Sequence, residues 1–450
     1  MAEGSKIGAP SSQAAPSSAP RASSATPQAF DVAIVGGGMV GASLAVALAD
    51  TGLEVLVIEP FAPSATAQQP SFDDRTTALG NASRRIFESL GVWQAMAPFA
   101  APIRTIHVSD AGRFGFARLK AEEQGIDAFG FIVTNRTIGA ALWAKLTSAN
   151  GITLRVPAQV EQVEIGADHV RLTVVDDRSG TRDHVTARLV VAADGAHSSV
   201  RTAAGIDAAI EDYDQVALIA NIKADRPHDQ TAYERFTQAG PLALLPLHDG
   251  SWGLVWSAQP AQSAHLLSLS DESFLAELQA TFGWRAGRFM KAGKRASYPL
   301  KLSRALTTVA KRAVLIGNAA QALHPVAGQG FNLGLRDAAM LAELLVESRT
   351  TGVDPGSADL LARFESWRAG DRSGVIRFTD GLIKLFGDRR PGVGLARNLG
   401  LLMFDLAPPA KSALARVSAG FAGPAPRLAR GLSLRELTSR DSAPPGSGLR

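Results

Sequence analysis

The stretch from Asp31 to Glu59 constrains the fold more than any other part of the chain. Asp31-Val-Ala-Ile-Val35 is a short apolar run suited to a parallel strand covered on both faces. Gly36-Gly37-Gly38 breaks it, and Met39 to Asp50 then reads as an Ala/Leu-rich helix with Thr51-Gly52 as its stop. Glu54 to Ile58 is a second apolar strand, closed by Glu59 and Pro60. Together these make a complete β-α-β unit. The turn carries Gly36-x-Gly38-x-x-Gly41. The first glycine permits the tight turn, the second lets backbone approach a diphosphate, and the third lets helix and strand pack closely. The helix N-terminus offers free N–H groups and partial positive charge. Glu59 stands at the end of the second strand, where a carboxylate can bind ribose hydroxyls. Glycines also mark ordinary turns; here the strand before, the helix after and the acid all agree.

Two further apolar strands stop abruptly at small polar turns. Leu189 to Ala193 runs into Asp194-Gly195, and Ala313 to Ile316 runs into Gly317-Asn318. Gln159 to Ile165, His169 to Val175 and His184 to Val191 alternate apolar and polar, as an antiparallel sheet does. Tyr213 to Lys223 and Leu242 to Ser257, with Trp252 and Trp256, form another strand-rich block. From Asn332 onward the chain reads as helical. The expected class is α/β: a Rossmann-like domain from 29–210 and 301–378, an inserted antiparallel β domain at 211–300 on the substrate side, and a C-terminal helical region at 379–438. Residues 1–28, rich in Ser, Ala and Pro with Lys6 and Arg21 as their only basic residues, read as a disordered tail, and 439–450 as another.

Composition narrows the chemistry. The chain has no cysteine, which removes disulfides, thiol nucleophiles and thiolate ligands. Its eight histidines show no paired metal spacing, so no metal is expected. A scattered net charge of +4 does not point to nucleic acid. No window approaches a transmembrane run of apolar residues, and a cytoplasmic protein is the expectation.

Asp194-Gly195-Ala-His-Ser-Ser-Val-Arg201 directly follows its strand. Asp194 could accept hydrogen bonds or orient Arg201; an ordinary strand-to-helix turn with Asp as cap accounts for the same residues. In Gly317-Asn318-Ala-Ala-Gln321-Ala-Leu-His324-Pro325-Val-Ala-Gly328-Gln329-Gly330-Phe-Asn332, a glycine-dense loop leads into a long helix whose N–H groups can face a negatively polarised ligand. The competing reading is a mobile glycine loop with a structural His324.

With these segments in hand, the chain resembles the group A flavin monooxygenases, and within them the ubiquinone-biosynthesis hydroxylases. The likeness runs from about Asp31 to Phe378 and rests on Gly36 to Gly41, Asp73-Asp-Arg75-Thr-Thr-Ala-Leu79, Ala193 to Arg201 and Gly317 to Gly334. The resemblance implies bound FAD, with Glu59 on the adenosine ribose, Arg136 near the cofactor chain and Val160 at the adenine. It puts Arg75 near the flavin, and Pro325, Gly328, Gln329 and Gly330 along the isoalloxazine ring, where a helix N-terminus would stabilise negative charge on the reduced ring. One departure concerns Gly317-Asn318 and Gln321, where the wider family usually has Gly-Asp and often His. Asn318 supplies no carboxylate, and the Gly-Asn-Ala-Ala-Gln variant looks like a mark of the ubiquinone subgroup.

The implied reaction is hydroxylation of a polyprenylated phenol: transient NAD(P)H reduces FAD, O₂ adds at flavin C4a, and the hydroperoxide delivers one oxygen to the ring. No residue stands out in the sequence as a base for the phenol, and Tyr213 and Trp252 are only loose pocket candidates. Residues 381–430 hold eight basic residues against Asp388 and Asp405, a net of +6, and Gly394 to Leu406 is rich in Leu, Met and Phe. A basic, apolar helix fits peripheral contact with the inner face of a membrane or with a biosynthetic assembly; packing on the core or a second copy fits equally. Alternatives are a reductase or halogenase of the same FAD class, a non-catalytic FAD-binding partner, and a plain NAD dehydrogenase that would leave the other two segments without a role.

Overall fold

A computed structural model of the chain describes residues 28–61, 75–323, 328–387, 390, 392, 398–400, 403, 405 and 425–439. The two expected tails, their inner end residues apart, lie outside the described residues. So do Asp73, Asp74, His324, Pro325 and most of 391–424.

Apolar residues decide the first layer. Val32, Ala33 and Ile34 are fully buried on both faces of strand Gln28–Val35. It lies between Arg182–Ala192 and Val55–Ile58, parallel to both. Ile152–Arg155 continues the parallel run beyond Val55–Ile58, and Ala313–Leu315 continues it beyond Arg182–Ala192. The register matters for function: Val35 pairs with both Ala192 and Ile58, and Ala192 pairs with Leu315. Four strands therefore end level, and the loops at Gly36, Glu59, Asp194 and Gly317 leave from one edge. Ligands of open α/β sheets bind outside this carboxyl edge.

Helices Met39–Leu48, Asn135–Leu146 and Gln329–Thr351 cover one face of this sheet, burying Leu44, Leu142, Met340 and Leu344. The other face is covered by an antiparallel meander, as the alternating sequence suggested: Ala158–Ile165, Val170–Asp176 and the first half of Arg182–Ala192.

The second layer is a nine-stranded sheet, antiparallel except where Thr231–Thr237 meets Thr105–Asp110. Its centre is Ala208–Ala224, Trp252–Ala258, Gly240–Pro246 and Thr231–Thr237, within the region expected to be β-rich. It also takes in Thr105–Asp110 and Phe116–Lys120 from before that region, and Gln321–Ala322 from after it. Strand alternation gives it two distinct faces. Trp252, Leu254 and Trp256 point to helices Pro260–Ser268 and Asp271–Phe282, where Leu266, Phe274 and Leu278 seal a separate core. Gly253, Val255 and Ser257 point the other way, toward the first layer. A small sheet of Thr76–Gly80, Gly130–Thr134 and Ala101–Ile103 bridges the two layers. Helices Gln329–Thr351 and Ala358–Gly387 follow, Leu428, Ala429 and Leu434 from near the C-terminal end pack into the first-layer core, and no described helix is long and apolar enough to cross a membrane.

Candidate active site

The glycine turn is tightly packed at Gly36, Gly37 and Gly41. At Gly36, φ is +103°, and a Cβ would lie 2.4 Å from the Ala193 carbonyl oxygen. A Cβ on Gly41 would lie 2.0 Å from the Gly36 oxygen, which is the close helix–strand contact the spacing implied. Between them, the Gly37 N–H donates to Glu59 Oε2 at 2.6 Å, and its carbonyl accepts from Trp143 Nε1 at 3.1 Å. Glu59 Oε1 accepts the Phe61 N–H at 3.1 Å. Glu59 thus fixes the loop and also stands on the wall of the cavity that the loop opens into.

That cavity, about 1540 Å³, is continuous from the carboxyl edge of the first sheet to the inner face of the second. This exceeds the ~300–1000 Å³ of a site for one small ligand. Gly36, Gly38, Glu59, Arg75, Val160, Asp194, Asn318, Gly328, Gln329 and Gly330 all line it, so three segments widely separated in the chain converge. Gly41 lies behind the wall in its packing role. Arg136 is not among the residues on the wall. It is exposed, and Asn135 stands on the wall in its place, since one helical step turns a side chain by roughly 100°. Pro325 lies outside the described residues.

The donor set fits a dinucleotide. Helices Met39–Leu48 and Gln329–Thr351 both begin at the cavity with glycine N-caps, no side-chain cap and no acid in the first turn. Their first N–H groups and partial positive charge are available to an anionic or electron-rich ligand. Asp194 Oδ2 accepts from the Ser199 N–H and hydroxyl at 2.8 and 3.2 Å, while Oδ1 is buried with no hydrogen-bond partner among the described residues. Asp194 does not orient Arg201. That guanidinium donates to the carbonyls of Ala319 and Ala196, tying the second segment to the third, and Ser198 caps the short helix Ser199–Ala203.

Asn332 is a structural centre whose importance the sequence did not reveal. Its Oδ1 accepts from the Gly80 N–H and the Ser83 hydroxyl, at 2.9 and 2.6 Å. Its Nδ2 donates to the Ala78 and Gly328 carbonyls, both at 2.8 Å. The amide therefore fixes the Arg75–Gly80 wall to the start of the long helix. Gln321 is also explained: Nε2 donates to Asp337 Oδ2 at 2.8 Å, and Oε1 accepts from Arg372 Nε at 2.7 Å. It anchors the Asn318 loop to a buried network of Asp337, Arg368, Asp371 and Arg336. Asn318 itself is exposed on the cavity wall.

The part of the cavity on the second sheet is mainly apolar. Tyr213 and Trp252 are not on it. Alternation turns Trp252 into the outer core, and burial, with Asp380 and Glu211 nearby, pushes the Tyr213 hydroxyl up to about 12. The wall is instead formed by residues such as Val108, Ala243, Val255 and Phe236, with one carboxyl among them, Glu234. Phe236 stacks on Phe386 with ring centroids 3.6 Å apart, bringing the end of helix Ala358–Gly387 over the cavity. Leu385 and Gly400 also line it. Asn398 bridges the same region to the sheet, accepting the Gly115 N–H at 2.7 Å and donating to Asp110 at 3.1 Å.

Comparison with known proteins agrees with this geometry. Residues 29–378 match the family model described as "FAD binding domain". The chain is 39% identical over 408 residues to a protein named ubiquinone hydroxylase UbiL of Rhodospirillum rubrum, covering 90% of this chain and 93% of that one. It is 33% identical to the 3-demethoxyubiquinol 3-hydroxylase of Escherichia coli, covering 85% and 96%. Among solved structures, p-nitrophenol 4-monooxygenase PnpA of Pseudomonas putida superposes with a TM-score of 0.72 at 18% identity, over 88% of this chain and 99% of that one. That last likeness is one of fold.

Proposed function

The chain belongs to the FAD-binding domain family, and from that premise we propose that it is an FAD-dependent monooxygenase. The proposed reaction hydroxylates the aromatic ring of a polyprenylated phenol in ubiquinone biosynthesis, consuming NAD(P)H and O₂. One observation carries the reading: a single cavity joins the glycine-rich carboxyl edge of the parallel sheet to an apolar face of the second sheet. When bound, FAD supplies the redox and oxygen chemistry.

The chain's own residues position and enclose. Gly36, Gly38 and the N-terminus of Met39–Leu48 are proposed to hold the diphosphate, with Glu59 at the adenosine ribose and Val160 at the adenine. Asp194 and Asn318 follow the linking chain. Gly328, Gln329 and Gly330, with Arg75, take the electron-rich ring edge, where a helix N-terminus stabilises negative charge; Pro325, outside the described residues, is proposed for the same edge on the resemblance alone. Arg136 remains a proposed approach to the cofactor chain from the solvent side. Residues 29–210 and 301–378 form the proposed FAD-binding part, and 211–300 with strands 105–120 the substrate part. The apolar sheet face and the Phe236–Phe386 stack keep water from the ring.

The same reading includes peripheral contact with an anionic lipid surface near the inner membrane face. Leu399 and Met403 are exposed apolar residues flanking cavity-lining Gly400 in sequence, in a stretch, 381–430, whose basic residues exceed its acidic ones by six. One experiment tests both levels. Purified protein with NAD(P)H, isotopically labelled O₂ and a polyprenylated phenol in anionic vesicles should yield product carrying one labelled oxygen atom. Met403→Asp should lower turnover of the vesicle substrate roughly tenfold, about 1.4 kcal/mol, and leave a short-chain soluble phenol unaffected. Product without label would refute the monooxygenase reading, and equal loss on both substrates would refute the lipid contact.

A further inference from the structure

Resting on the hydroxylase reading above, we propose that Glu234 is the group that accepts the phenolic proton of the substrate, at the centre of the apolar wall. The strand register makes its position unusual. Glu234 pairs with Val108 on one side and Ala243 on the other; beyond them stand Ala117 and Val255. Along its own strand, Ala232 and Phe236 share its face. The carboxyl thus sits in a grid of apolar side chains, all lining the cavity.

Among the described residues, no element packed around this strand supplies a counter-charge on that face. On Thr231–Thr237, Arg235 lies on the opposite side, where it donates to the Thr281 carbonyl and to Ser109. His107 and Arg285 bond to each other on that side as well. Neighbouring strands Thr105–Asp110, Phe116–Lys120, Gly240–Pro246 and Trp252–Ala258 offer only apolar residues and Ser257 to the cavity. Asp110, at the end of its strand, is occupied by Asn398 and Arg113. The cavity's other ionisable wall residues, among those described, are Tyr233, beside Glu234 in sequence, and Glu59, Arg75, Asp194 and His197 on the first-layer side. Among the described residues the Glu234 carboxyl makes no hydrogen bond or ion pair. Glu234 is half-buried on the cavity wall, so a carboxyl without a partner among the described residues is left to take one from a ligand or water in the cavity.

Burial pushes this carboxyl up to about 7, which suits a base working near neutral pH. In the step assigned to it, the phenol O–H bond breaks and a carboxyl O–H bond forms. The electron pair stays on the phenolate oxygen, enriching the ring at the positions ortho and para to it. Charge is conserved, since a carboxylate and a neutral phenol become a carboxylic acid and a phenolate. The proton returns to the oxygen when the hydroxylated ring regains its phenol form.

Glu234→Gln keeps the shape and removes the base. For the FAD-loaded variant we expect a loss of roughly 10²–10⁴-fold in kcat/KM with FAD content unchanged. The parent's kcat/KM is expected to rise through about pH 7, and in the variant that rise should be absent. Activity should return as pH approaches the phenol's own ionisation, or with a fluorinated phenol that ionises unaided. Parent-like activity in the variant would overturn the proposal, and so would a loss that neither high pH nor the acidified phenol restores. A second readout needs no turnover. A raised carboxyl destabilises the fold increasingly as pH rises from its unfolded value to about 7, so Glu234→Gln should melt higher than the parent at pH 8 and alike at pH 4. Equal melting at both would overturn the buried-carboxylate premise. A parent that shows the melting difference yet hydroxylates no phenol would instead refute the hydroxylase reading.

Discussion

Gly41→Ala should yield a protein that comes off purification without its yellow cofactor. The added Cβ would meet the Gly36 carbonyl oxygen at 2.0 Å and the Ala193 side chain at 3.0 Å. Neither neighbour can give way cheaply. Gly36 is hydrogen-bonded to Ile58 and already in contact with Ala193, and Ala193 is bonded to Val35. The helix Met39–Leu48 must therefore lift from the strand ends, carrying its N-terminus away from the diphosphate. Overpacking of this kind costs about 1–3 kcal/mol of stability. Loss of the phosphate contacts should weaken FAD binding at least a hundredfold, about 2.7 kcal/mol. Gly370→Ala, at a helical position with open space around it, is the control and should bind FAD normally. Flavin fluorescence titration measures both; a Gly41→Ala protein within threefold of the parent would contradict the account.

Arg368→Met should destabilise the fold by about 3–5 kcal/mol, the usual consequence of removing one partner from a buried ion pair. The guanidinium is buried between Asp337 at 2.7 Å and Asp371 at 2.6 Å, and also donates to the Leu333 carbonyl. Without it, Asp337 keeps the Gln321 amide as its one hydrogen-bond partner among the described residues, so a buried carboxylate loses its counter-charge while the Asn318 loop stays tied through Gln321 to Asp337 and Arg372. Burial alone would raise the Asp371 carboxyl, but Arg336 and Arg368 outweigh it and hold the group below its ordinary range. The stability this adds is present above the ordinary carboxylate range and is lost as pH falls through the lowered value. In the variant that loss should begin at higher pH. Chemical denaturation across pH 3–8 follows both effects, and a change below about 1 kcal/mol would show that Asp337 and Asp371 find other partners.

The parallel layer was legible in the sequence because strands buried on both faces read as uninterrupted apolar runs, and each was stopped by a glycine or small polar turn. The convergence of Gly36, Asp194 and Gly317 was legible for the same reason: all three follow such a strand. Membership of the second sheet was harder to read. Thr105–Asp110 joins it beside Thr231–Thr237, a pairing between segments more than a hundred residues apart that no local pattern encodes. Asn332 and Trp143 escaped notice because most of their hydrogen-bond partners, Ala78, Gly80 and Ser83 for Asn332 and Gly37 for Trp143, lie far away in sequence. Glu234 did leave a trace: between Ala232 and Phe236 it is the one charged residue on an otherwise apolar alternating face, a signal that needs the strand's facing to be known. Arg136 and Asn135 differ by a single helical step, and which of the two lines the cavity is legible only once the helix is placed.

The central claim is that three separated segments build one site for one flavin. Titrating flavin-free protein with FAD while following absorbance and flavin fluorescence tests it most directly. A tight, saturable endpoint at one FAD per chain is predicted. A protein that stays colourless and takes up no FAD at any concentration would contradict it.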